Sequence, residues 1–273
     1  KELQAGNLDV AETLLQRAYE RDQKLVDKQL AQHAFDLAEI SELKLDHKKA
    51  IQRYQEVVER QPDQLQAWQN LAEIAEKSGD TTLALNSWRQ MGKNVDKTSN
   101  PAEYLYALEG EGELLSLQGN NAEVLPIYQA AQAFAQQLIS KEPDNLNWQN
   151  RLSVSLDNIG KLYETKGDRV LALKSFQDSL TVRQKLVQVE PNNADGQNNL
   201  SLSFDNIARI YQANGDNPAA LKAFQDSLAI SQKLATLESN NARWQRNLAD
   251  SLNNIGEMHK TNGDNALALK AFQ

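Results

Sequence analysis

The chain contains no cysteine, which excludes disulfides, thiolate metal sites and cysteine nucleophiles. Its only histidines, His33, His47 and His259, stand at unrelated places, and packing is the better reading of each than metal ligation. No apolar run approaches the roughly 20 residues a membrane helix needs, so no membrane insertion is expected. No cluster of positive charge appears either. The net charge is −8, which argues against nucleic acid and anionic membrane as partners. No alternating apolar–polar pattern marks a strand, and no glycine-rich loop follows one to cradle a phosphate. Catalytic residues, cofactors and metals are therefore not expected.

What the chain has is repetition. "LDNIGKLYETKGD" from Leu156, "FDNIARIYQANGD" from Phe204 and "LNNIGEMHKTNGD" from Leu252 lie 48 residues apart. "LALKSFQDSL", "AALKAFQDSL" and "LALKAFQ" follow in phase from Leu171, Ala219 and Leu267. "EPDN", "EPNN" and "ESNN" keep the same step from Glu142, Glu190 and Glu238. Each copy reads as two helices. Trp148, Leu152, Leu156, Ile159 and Tyr163 form one apolar stripe, and Leu171, Ala172, Phe176, Leu180 and Leu186 form the next. Gly167 supplies the turn between them and Pro191 follows the second.

Small and large residues alternate at fixed offsets: Ile159-Gly160, Tyr163, Ala172, Phe176, then Ile207-Ala208, Tyr211, Ala220, Phe224. Upstream, Leu71-Ala72, Ala75, Ala84 and Trp88, and Leu37-Ala38, Ala50 and Tyr54, keep the same order. This pattern resembles the tetratricopeptide repeat. The resemblance implies an all-α, right-handed superhelix of antiparallel helix pairs. Turn positions are expected at Gly6, Leu45, Gly79, Gly119, Gly167, Gly215 and Gly263, so repeat length grows from 34 to 48 residues. The expected organisation is one solenoid over 1–273: a partial repeat at 1–30, repeats at 31–64, 65–100, 101–144, 145–192 and 193–240, and a truncated one at 241–273. Both ends lack a polar capping repeat, so a segment of a longer protein is expected, with self-association through the uncapped ends. A cytoplasmic location is expected.

The "LNNIG" form resembles kinesin light chain and related cargo adaptors. That likeness implies that the asparagine before the core pair meets the backbone of a bound peptide, which gives the role to Asn70, Asn158, Asn206 and Asn254. A primary amide offers a donor and an acceptor and can pair with one peptide unit. The alternative use of these amides is to brace neighbouring repeats. Asp157, Lys161, Asp205, Arg209 and Asn253 share the stripe, about 100° from the core residues. Asp36 and Gly110 interrupt the asparagine series upstream.

The expected function is a scaffold that binds a peptide or protein in the groove of the array. Two other readings compete: a regulatory or sensor segment of a larger bacterial-type signalling or effector enzyme, and a structural self-assembly module. Charge is uneven. Residues 1–140 hold 14 Lys and Arg against 22 Asp and Glu, whereas residues 141–273 hold 15 of each sign. A basic partner is therefore expected at the N-terminal half, facing Asp36, Glu39, Glu42, Glu73, Glu76, Glu109 and Glu113. Glu109 and Glu113 are read as part of a solvated acidic face. Gly196 stands where Trp148 and Trp244 stand, so that repeat is expected to lack an aromatic wedge and to pack less tightly.

Overall fold

The computed structural model describes residues 7–21 and 27–272. The expected turn at Gly6 lies outside the described residues. Thirteen helices and no strand occur among those described. The chain divides into two compact units, Lys1–Ile127 and Tyr128–Gln273.

The first unit holds α1 (Leu8–Arg21), α2 (Asp27–Leu43), α3 (His47–Arg60), α4 (Leu65–Ser78), α5 (Thr81–Asn94) and α6 (Pro101–Leu117). Each of α1 to α5 packs on the next. Helix α7 (Asn121–Lys141) contains the division between the units. The second unit continues with α8 (Leu146–Thr165), α9 (Arg169–Val189), α10 (Ala194–Ala213), α11 (Asn217–Leu237), α12 (Ala242–Thr261) and α13 (Asn265–Phe272), again packed in chain order. The first six helices run 14 to 17 residues. Helices α7 to α12 run 20 or 21.

The turns explain the Gly-Asp pairs. Gly79, Gly167 and Gly215 adopt positive φ, where an L side chain would crowd the carbonyl. The next residue, Asp80, Asp168 or Asp216, accepts a backbone N–H of the following helix. One residue thus ends a helix and its neighbour starts the next. Leu45 takes the same left-handed conformation without being glycine. Pro126 falls early in α7, as its position in the sequence predicts.

The small–large pairs form the core. Ala38, Ala50 and Tyr54 pack with Leu71 and Ile74, so one pair of helices is sealed by the next. Ala72, Ala84 and Trp88 pack with Ala107 and Leu114. In the second unit Phe176 packs with Ile207 and Ile210, and Phe224 with Ile255 and Met258. Burying each large side chain contributes about 1.5–3 kcal/mol.

Candidate binding surfaces on the first helices

In the first unit, Asp36, Glu39 and Glu42 follow one another at three-residue steps along α2, so they share a face. With Ile40, Leu43, Tyr54 and Asn70 they line a cavity of about 400 Å³. Among the described residues no basic one lines it. Partial burial pushes the Glu39 carboxyl up, and the charges of Asp36 and Glu42 push it further. Tyr54 forms the floor. Its hydroxyl donates to Glu42 and accepts from Asn70 Nδ2 at 2.9 Å. Gln66 donates to Asn70 Oδ1 at 2.8 Å. Asn70 therefore borders the cavity while linking α4 to α3.

The same device recurs one pair later. Trp88 Nε1 of α5 donates to Glu76 of α4 at 2.7 Å. Glu73 accepts from Gln69 at 2.9 Å and from Tyr106 at 3.2 Å. Glu109 is only 7% exposed, which corrects its reading as solvated. The interruption at Gly110 has a steric cause. A Cβ there would lie 2.5 Å from the Trp88 ring, so the wide indole leaves no room for asparagine.

In the second unit the structure corrects the expected placement of Asp157. It is 6% exposed and pairs with Arg183 of α9, Oδ2 to Nη2, at 2.5 Å. Arg183 Nη1 also donates to the Asn199 carbonyl at 2.7 Å and to Ser203 Oγ at 2.8 Å, and its Nε to Ser153 Oγ at 3.3 Å. One guanidinium thus fastens α8 and α10 to α9. Burial is the largest influence on both partners, pushing the Asp157 carboxyl up and the Arg183 guanidinium down.

The next repeat lacks this clamp. "QDSLTVRQKL" from Gln177 becomes "QDSLAISQKL" from Gln225, so Ser231 stands where Arg183 stood. Serine hydroxyls replace the guanidinium: Ser201 to Ser227 at 2.8 Å, Ser201 to Ser231 at 3.2 Å and Ser231 to Ser251 at 3.0 Å. Asp205, the counterpart of Asp157, keeps a buried Oδ1 with no hydrogen-bond partner. Burial raises its carboxyl to about 6, with Ser227 and Arg209 pulling down and Asp250 pushing up.

The asparagine series divides. Asn158 is half-buried, and its Nδ2 has no hydrogen-bond partner. Asn206 is 7% exposed and accepts from Arg209 Nη2 at 2.6 Å. Asn254 is half-buried, while Asn253, Lys161 and Arg209 are exposed. Arg209 also lies 3.8 Å from Glu164. Sequence reasoning passed over Arg183. Its signal was the single serine-to-arginine change between two otherwise matched segments. Among the described residues no His, Asp and Glu grouping could hold a metal, and no helix is long and apolar enough to cross a membrane.

Family models described as tetratricopeptide repeat match residues 44–91 and 200–235. Among curated proteins, none matches the sequence. The crystal structure of BtubC (BKLC) from P. vanneervenii is similar, with TM-score 0.65 and 16% identity, over 83% of this chain and 85% of that one. The apo form of RapI gives 0.60 at 10% identity, over 89% and 94%. Putative kinesin light chain nearly identical TPR-like repeats from Podosopora anserina give 0.52 at 20% identity, over 77% and 92%. Residues 44–91 and 200–235 thus match tetratricopeptide repeats, and the left-handed turns and small–large pairs recur through the helix pairs around them.

Proposed function

We propose that this chain is a non-enzymatic scaffold whose first helices bind an extended, basic segment of a partner protein. The tetratricopeptide fold serves protein interaction in general. The observation that carries the finer reading is the cavity on α2, where Asp36, Glu39 and Glu42 converge and no basic residue among those described lines the wall to neutralise them. A lysine or arginine of a partner would supply the absent charge, with its stem against Ile40 and Leu43. Asn70 sits at the rim of that cavity. In the second unit, Asn158, Asn206 and Asn254, flanked by Lys161, Arg209 and Asn253, are the proposed contacts to peptide backbone. Asn158 and Asn254 are only half-buried, which leaves part of each side chain open to a ligand and supports this reading. Asp157 and Asp205 act there as bracing groups rather than contacts.

Selection of displayed peptides on the immobilised chain tests the proposal. The recovered peptides should be rich in Lys and Arg. Asn158→Ala should hold or slightly raise the unliganded melting temperature, since Ala is the better helix former by roughly 0.6 kcal/mol. Affinity for recovered peptides that map to the second unit should fall by about 1–3 kcal/mol. Recovered peptides without excess positive charge would remove the electrostatic reading. A sharp loss of unliganded stability in Asn158→Ala, with affinity per folded molecule unchanged, would make that amide a brace.

A further inference from the structure

The entrances to α8, α10 and α12 are three copies of one frame, and the middle copy lacks one part. In each, an asparagine donates to a glutamate Oε2: Asn145 to Glu142 at 2.7 Å, Asn193 to Glu190 at 2.8 Å, Asn241 to Glu238 at 2.7 Å. In each, a glutamine side chain donates to a carbonyl six residues back: Gln149 to Pro143 at 2.7 Å, Gln197 to Pro191 at 3.1 Å, Gln245 to Ser239 at 3.1 Å. In the outer two copies a tryptophan completes the frame. Trp148 Nε1 donates to Glu142 Oε2 at 2.8 Å, and Trp244 Nε1 to Glu238 Oε2 at 3.2 Å. In the middle copy the residue is Gly196.

The space the indole would occupy is open. Trp244 packs on Leu234, Ala235 and Ala194. One repeat earlier, at a step of 48, the matching residues are Leu186, Val187 and Leu146. These three, with Gly196, Glu190 and Asn193, line a cavity of about 240 Å³. Leu234 and Ala235 are 3% and 4% exposed under their tryptophan, whereas Leu186 and Val187 are only half-buried. A cavity of about 150 Å³ suffices for a benzene ring. Glu190 is exposed, and a carboxylate can accept more than the one bond Asn193 makes.

We infer that this cavity receives a tryptophan side chain from a partner protein, seated on Leu186 and Val187 with its indole N–H donated to Glu190. The two filled copies show both the shape and the hydrogen bond the guest must match. None of the residues proposed to contact a peptide on the first helices takes part, so the site stands or falls separately from that reading. Glu190 also selects among aromatics, because phenylalanine offers no donor.

The test uses N-acetyl-L-tryptophanamide titrated into the full chain and followed by amide chemical shifts. Saturable shifts are expected around Asn193, Gly196 and Leu186. N-acetyl-L-phenylalaninamide should bind roughly tenfold more weakly, as expected for a lost hydrogen bond to a charged group. Gly196→Trp fills the cavity from within. A Cβ there would make only ordinary contacts, the nearest to Asn193 Cγ at 3.4 Å. That variant should melt higher and lose the binding. Glu190→Ala, at an exposed position, should weaken binding several-fold and keeps the test open should Gly196→Trp not fold. Shifts that do not saturate, shifts centred elsewhere, or undiminished binding in folded Gly196→Trp or in Glu190→Ala would overturn the inference.

Discussion

Arg183→Ser should lower the unfolding free energy of the second unit by about 3–5 kcal/mol, the usual cost of stranding one member of a buried ion pair. Urea denaturation reads it directly. Asp157, 6% exposed in the wild-type chain, would lose its salt bridge to Arg183. Ser203 and the Asn199 carbonyl would lose a donor at the same time. Desolvation of both groups opposes their attraction, and replacing a buried pair by neutral groups is often neutral for stability. Asp157→Asn combined with Arg183→Ser should therefore recover most of the loss. A single variant that unfolds at the wild-type midpoint would show that the guanidinium clamp does not hold α8, α9 and α10 together.

Asp205→Asn should do the opposite, with a gain that grows from about pH 4 and is complete above about pH 6. Burial holds the Asp205 carboxyl at about 6 in the folded chain, against 3.8 for the free group. The folded state therefore keeps its proton through a window in which the unfolded state has lost it. Unfolding releases a proton between about pH 4 and 6, so stability falls as pH rises across that window. Above it, the ionised carboxylate costs about 2–3 kcal/mol, from roughly two pKa units at 1.36 kcal/mol each. The neutral amide removes that cost. Asp205→Asn should raise stability by this amount at pH 7 and leave it nearly unchanged at pH 4. Equal gains at both pH values would mean that the carboxylate is not the source.

Both predictions concern the same aspartate in successive repeats, Asp157 with its arginine and Asp205 without one, and they show what the sequence could and could not reveal. The helix pairs, the left-handed turns from Gly119 to Gly263 and the small–large pairs such as Ala172 and Phe176 were legible, because the 48-residue step repeats them. The missing wedge at Gly196 was legible for the same reason. Arg183 was not, since one arginine for serine between matched copies reads as ordinary drift. Asp157 was set about 100° from the core stripe and so assigned to an open face. A first helix in such a stack touches neighbours on more than one side, and that angle brings Asp157 against the α9 clamp. The self-bonded acids of the first unit were hidden too. Only the fold brings Tyr54 to Glu42 and Trp88 to Glu76, which occupies part of the acceptor capacity of the acids along α2 and α4 without changing their charge.

What remains on α2 carries the central claim, and one measurement addresses it most directly. An extended Lys-containing peptide is titrated into the full chain and into an Asp36→Lys/Glu39→Lys variant, at about 50 mM and about 500 mM salt. Raising salt across that range shortens the screening length several-fold. Wild-type affinity should fall about tenfold with salt, the double charge reversal should abolish binding at low salt, and the glutamine counterpart of the peptide should not bind. Binding that ignores salt, survives charge reversal of α2, or is matched by the neutral peptide would contradict a basic partner seated on Asp36 and Glu39.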